Sequence, residues 1–266
     1  MKRLVILFIT IVCVLFSGCS AGNGKSTVRV AVIDTGFSTK AIPKENIVEG
    51  NNYLDKSLST DDTYGHGTAM ASIILEECNG VELVPLISNA YEDGKITQVD
   101  NDVFAQIIID AVKVYKCDII NISAGLMLDK PSVKEAILFA EENNVLIVAS
   151  GGNDYVENGQ SKYYPAAYES VLAVGSVNKE ETDISSFSQR GDWIDIYTCG
   201  EDVTYATLSG STRMSDGTSY STARISGYAA NILKNSKTKL EVSKLREIIK
   251  NNANVLHDGT KYITQK

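Results

Sequence analysis

Five short runs of β-branched and other apolar residues constrain the fold more than any other feature of this chain. They are VRVAVID (28–34), VELVPLI (81–87), CDIINIS (117–123), VLIVAS (145–150) and VLAVGSV (171–177). Continuous apolar runs of this length suit strands covered on both faces, the condition of a parallel sheet. Between them, GTAMASIILEEC (67–78), NDVFAQIIIDAVKVY (101–115) and SVKEAILFAEEN (132–143) carry helical periodicity, and the last opens with a Ser132/Glu135 capping box. Strand and helix in alternation predict an α/β fold, a doubly wound and mainly parallel sheet with helices on both faces. Ligands of such sheets sit beyond the carboxyl ends of the strands, so functional residues are expected just after strands.

The start of the chain sets the compartment. MKR is followed by the apolar run LVILFITIVCVLF (4–16), then Ser17, Gly18 and Cys19, the layout of a secretory signal. A permanent membrane span wants about 20 apolar residues, and this run is shorter. FSGC resembles the lipobox of bacterial lipoproteins, with Phe16 where that family more often has Leu, and implies that Cys19 is lipidated. An ordinary signal peptide, or a retained anchor, is the other reading. All of them place the remainder outside the cytoplasmic membrane. The expected organisation is a signal at 1–18, a short tether at 19–27 and one domain over 28–266, with no dividing linker.

Loss of Lys2 and Arg3 takes the formal charge from −8 to about −10, and no Lys/Arg cluster appears, which argues against a nucleic-acid partner. Beyond Cys13 and Cys19 stand Cys78, Cys117 and Cys199, an odd number without a Cys-x-x-Cys. Neither a disulfide framework nor a zinc site is indicated, and the three read as small buried hydrophobes.

The chemistry-bearing residues are few. Asp34 ends the first strand in VAVIDTG. His66 stands between Gly65 and Gly67 at the head of a helical segment, and the only other histidine is His257. Ser219 lies in DGTSYSTARISG (216–227), at the mouth of another helix. Each residue has a bland explanation: Asp34 as a helix cap, His66 as a loop residue, Asn153 before Asp154 as turn chemistry, and His257 as a surface turn. Gly217, Ser221, Ala223, Ser226 and Gly227 are explained by close helix packing alone. Together, acid, histidine and serine form a relay in which serine attacks, imidazole takes its proton and carboxylate fixes the tautomer. The order Asp, His, Ser is that of the subtilisin type, and the Gly-x-Ser-x-Gly elbow of α/β-hydrolases is missing.

On these residues the chain resembles the subtilisin family of serine peptidases. VAVIDTG (30–36), GHGT (65–68) and GTSYSTARISG (217–227) are similar to the family's aspartate, histidine and serine motifs. NISAG (121–125), VASGGN (148–153), YYPAAYESVLAVGSVN (163–178) and SSFSQRG (185–191) extend the likeness over about 28–233. The resemblance implies a three-layer α/β/α fold, with Ser219 as nucleophile, His66 as general base and acid, Asp34 as orienting carboxylate and Asn153 as oxyanion donor. It also implies substrate binding along Ser123, Ala124 and Gly125, a polypeptide substrate, and a pocket involving Ser150, Gly151 and Tyr163.

Departures from the pattern sharpen the expectation. Ala223 and Arg224 replace the family's usual Pro and His, which puts the helix register in question. Tyr163 stands where the family often has a small residue at the floor of the primary pocket, which would shorten it and favour small or unusual P1 residues. The longer loop that carries a tight calcium site in many subtilisins is missing between EEC and VELVPLI, so no metal and no cofactor are expected. Only SAGNGKST (20–27) separates Cys19 from the first strand, so a separate folding or inhibitory partner in place of a propeptide is one expectation and unassisted folding the other. The function expected is a membrane-tethered serine endopeptidase, with maturation of a secreted peptide as one role. A non-catalytic subtilisin-like peptide-binding protein, or an esterase or ligase using the same acyl-enzyme, is the competing expectation.

Overall fold

Val30 and Val32 of the first strand are buried against one layer of helices, and Ala31 and Ile33 against another. Period-two alternation with both sides apolar forces a sheet covered on both faces. The computed structural model describes residues 27–92, 94–125, 129–156 and 161–264. Its elements run β1 (Arg29–Asp34), β2 (Asn51–Asn52), α1 (His66–Glu77), β3 (Glu82–Ile87), β4 (Asn89–Glu92), β5 (Lys95–Gln98), α2 (Asn101–Lys113) and β6 (Ile119–Ile122). They continue with α3 (Pro131–Glu142), β7 (Leu146–Ser150), β8 (Val171–Val177), β9 (Ile196–Cys199), β10 (Val203–Ala206), β11 (Thr212–Ser215), α4 (Thr218–Asn235), α5 (Val242–Asn251), β12 (Asn254–Val255) and β13 (Lys261–Ile263).

Nine strands form one sheet in the order β12-β13-β9-β8-β7-β6-β1-β3-β2, parallel except for β12. This is the expected three-layer α/β/α fold. All five apolar runs are strands of it. After β1 the chain adds β3 on one side and then returns to place β6 on the other. That reversal beside β1 is the crevice where such sheets bind ligands, and it brings the residues after β1 and β6 side by side. Helices α2 and α3 pack on one face, with Ile107, Ile108, Val133 and Ile137 in the core. The other face is covered by α1, α4 and α5 through Met70, Ile73, Ala229 and Leu245.

Small residues let α4 lie close to α1: a Cβ on Gly227 would come within 2.5 Å of Glu77 Cβ and 2.9 Å of the Ile74 carbonyl. Ala223 and Arg224 leave α4 continuous. Ala223 is fully buried, and Arg224 is buried with Nη1 donating to the Cys199 carbonyl at 3.2 Å. Cys78, Cys117 and Cys199 are buried, as expected, and none of them is in a disulfide among the described residues. The Ser132/Glu135 capping box does not form. Helix α3 begins one residue earlier, at Pro131, after Lys130, which makes no side-chain cap. Proline's fixed φ is preorganised for the first helical position, and that preference places Ser132 inside the first turn.

Candidate active site

The carboxyl end of β1 and the amino end of α1 are held together by backbone contact. A Cβ on Gly67 would lie 2.4 Å from the Gly36 carbonyl oxygen, and one on Gly36, whose φ is +104°, would lie 2.5 Å from that of Thr60. Gly67 N–H also donates to Thr35 Oγ1 at 2.9 Å. Neither position has room for a side chain. Gly67→Ala is therefore expected to destabilise the fold by about 1–3 kcal/mol, the usual cost of overpacking, read as a lowered urea midpoint.

This approach sets His66 on Asp34. Nδ1 lies 2.8 Å from both carboxylate oxygens, and Asp34 is almost fully buried while the His66 side chain is 28% exposed. Thr35 N–H donates to Asp34 Oδ1 at 2.8 Å and fixes the carboxylate. With Nδ1–H given to Asp34, Nε2 is left as the acceptor. Burial pushes the imidazole pKa down, but the Asp34 charge and hydrogen bond, aided by Asp62, outweigh it and raise it above its ordinary value.

Asp62 is a residue that the sequence reading missed. Its buried carboxylate accepts from the backbone of Tyr64 (2.9 Å), Gly65 (2.7 Å) and Thr68 (2.9 Å) and from the Thr68 hydroxyl (2.7 Å). It thereby caps the turn that presents His66. An acid shortly before a helix start is the one signal that points to it.

Ser219 is the second residue of α4, 9% exposed, behind the cap residue Gly217. Its hydroxyl donates to the Ser123 carbonyl at 3.2 Å, and no hydrogen bond joins it to His66. Asp34 and His66 are thus paired, while the link from serine to histidine is not made. Asn153, just beyond β7, is tied to the residue before the serine: its Oδ1 accepts from Thr218 N–H and from Thr218 Oγ1, both at 2.8 Å. The side-chain oxygen is thereby occupied, and the amide Nδ2 is left as donor. Thr218 was not singled out from sequence, and adjacency to Ser219 is its only signal there.

Ser123, Ala124 and Gly125 continue from β6 and are half-buried to exposed. Ser150 and Gly151 are buried, with the Ser150 hydroxyl engaged by Thr218 Oγ1 at 2.6 Å. The glycine that meets Tyr163 is Gly152. A Cβ there would come within 2.7 Å of the ring, and one on Gly125 within 3.0 Å, so the ring lies between the two segments. Its hydroxyl donates to Asp154 Oδ2 at 2.6 Å. His257 is exposed in the turn between β12 and β13. Among the described residues no three His, Cys, Asp or Glu side chains gather as metal ligands. Cys19 lies outside the described residues.

Comparison with known proteins follows the same outline. The family model described as the subtilase family, Peptidase_S8, matches residues 25–264. Subtilisin BL of Lederbergia lenta is 31% identical over 242 residues, 89% of this chain and 87% of that protein. The minor extracellular protease Epr of Bacillus subtilis strain 168 is 31% identical over 237 residues, 87% of this chain, which spans about a third (36%) of Epr's length. Among solved structures, the prenylagaramide maturation protease PagA superposes with a TM-score of 0.71 at 27% identity, covering 91% of this chain and 88% of that one.

Proposed function

Because this chain belongs to the subtilase family of serine peptidases, we propose that it is an extracytoplasmic endopeptidase working through an acyl-enzyme on Ser219. The observation that carries the reading is the 2.8 Å contact of His66 Nδ1 with Asp34, which leaves Nε2 as a base for the serine in the first turn of α4. In the first step Ser219 Oγ attacks the scissile carbonyl carbon and its proton passes to His66 Nε2. The imidazolium, stabilised by Asp34, then returns that proton to the leaving amine. Water repeats the sequence in reverse and releases the acid. Asn153 Nδ2 and the Ser219 N–H bear the oxyanion.

The resting hydroxyl is engaged by the Ser123 carbonyl. A substrate strand added along 123–125 takes backbone groups of that segment, and an incoming N–H that claims this carbonyl frees Oγ to turn to His66. Ser150 and Gly151 shape the wall from behind, and Tyr163 closes the pocket floor, so that glycine or alanine is preferred at P1. Tyr163→Gly is expected to raise kcat/KM for Phe or Leu at P1 by about 10–100-fold relative to Ala, measured on a P1 peptide series. Asn153→Leu is expected to lower kcat about 10²–10³-fold with KM little changed.

The proposed setting is the outer side of the cytoplasmic membrane, with a lipid on Cys19 and a secreted peptide or leader as substrate. Among the described residues no helix is long and apolar enough to cross a membrane. No cofactor takes part in the proposed reaction. The test is treatment of the purified chain with a fluorophosphonate beside a peptide library. Labelling at Ser219 together with internal cleavage supports the reading, and peptide binding without either overturns it.

A further inference from the structure

The imidazole of His66 also borders space that the mechanism does not use. A pocket of about 480 Å³ opens between the start of α1, at Gly65, His66 and Ala69, and the β10–β11 hairpin. Neither 123–125 nor 150–163 lines it. It thus shares His66 with the proposed catalytic centre and none of the segments proposed to hold the acyl half of the substrate, which leaves it for the leaving-group half.

Its chemistry follows from the hairpin register. Tyr205 of β10 and Arg213 of β11 are direct antiparallel partners, so their side chains emerge on the same face. The Tyr205 ring stacks on that of Tyr220, with centroids 5.5 Å apart, and Tyr220 follows Ser219 in the chain. An aromatic floor thus starts one residue from the nucleophile and ends at a guanidinium. Arg213 is exposed, and its guanidinium has no hydrogen bond or ion pair to any described residue. The neighbouring hydroxyls of Thr207, Ser209 and Ser211 bond one another at 2.9–3.0 Å instead. No carboxylate side chain lines the pocket. In a chain of net charge −8, this is an unpaired cation facing a groove that admits peptide.

We propose that the pocket reads an acidic side chain in the leaving-group half of the substrate, pairing its carboxylate with Arg213 and laying its stem over Tyr205 and Tyr220. The proposal rests on the peptidase reading of the same groove. A planar guanidinium beside aromatic faces suits a carboxylate better than an amide or an amine.

The test uses one cleaved peptide carrying Glu, Gln or Lys at each of the two positions after the scissile bond. It is read as kcat/KM with the intact enzyme and as Kd with the Ser219→Ala protein by fluorescence anisotropy. Glu is expected to exceed Gln by about five- to tenfold at one of the two positions, with the ratio shrinking as salt rises. Arg213→Gln brings the ratio to about one, Arg213→Lys restores part of it, and Arg213→Glu turns the preference toward Lys. A Glu-to-Gln ratio unchanged in Arg213→Glu overturns the proposal. Failure of the peptidase reading is separate and shows as no turnover of any peptide. The Ser219→Ala binding ratios still decide the pocket in that case, and an absence of all peptide binding overturns both.

Discussion

Ser219→Ala is expected to abolish fluorophosphonate labelling and to lower kcat by about 10⁶-fold, the scale of loss when the serine is removed from a subtilisin triad. His66→Ala is expected to match it, because the other histidine stands in an exposed turn between β12 and β13 and offers no substitute base. Residues that act as one unit are not additive, so the double variant should be no worse than either single one. Stability separates this loss from unfolding. Ser219 Oγ gives up one 3.2 Å hydrogen bond to the Ser123 carbonyl, so the alanine protein should melt within about 1 kcal/mol of the parent. Mass mapping of the labelled peptide is the deciding measurement: a label that persists in Ser219→Ala places the nucleophile elsewhere.

Asp34→Asn should lower kcat about 10⁴-fold while leaving the geometry in place. The reason lies in two contacts. Thr35 N–H donates to one carboxylate oxygen of Asp34, and both oxygens lie 2.8 Å from His66 Nδ1. If the asparagine keeps its oxygen toward Thr35, its NH₂ faces Nδ1, which must then accept. The proton moves to Nε2, and the base is lost. The pH profile carries the same signature. Protonated His66 cannot take the serine proton, so activity falls on the acid side, with a midpoint raised above the ordinary imidazole value in the parent. Removing the Asp34 charge should move that acid limb to lower pH, which kcat/KM measured across about pH 4–9 will show.

Legibility in the sequence followed burial. The five runs that read as strands are nearly all buried, and β8 is buried at every position. The hairpins β4–β5 and β10–β11 escaped because their residues are largely exposed and polar, so no apolar run marks them. Helix α5 was also passed over, although Val242, Leu245 and Ile249 recur at helical spacing. In the site, Asp34, His66 and Ser219 stood out because their residue types carry chemistry. Asp62 and Thr218 act by orienting other groups, through bonds to backbone and amide that a linear pattern does not display. The resting contact of Ser219 joins it to a carbonyl 96 positions away, and no local signal encodes such a pairing.

The parallel sheet also gives the molecule a direction. The chain enters β1 at Arg29, whose N–H meets Asp118, and reaches Asp34 after six residues, roughly 20 Å of extended strand. Entry point and reacting end are therefore opposite poles of the sheet. Any surface to which the amino-terminal side is fastened faces the pole opposite Asp34 and His66. If Cys19 carries the proposed lipid, the eight residues between it and Val28 can span at most about 30 Å. On the proposed anchorage the protease would work a thin layer above the membrane, meeting chains as they emerge rather than searching the bulk.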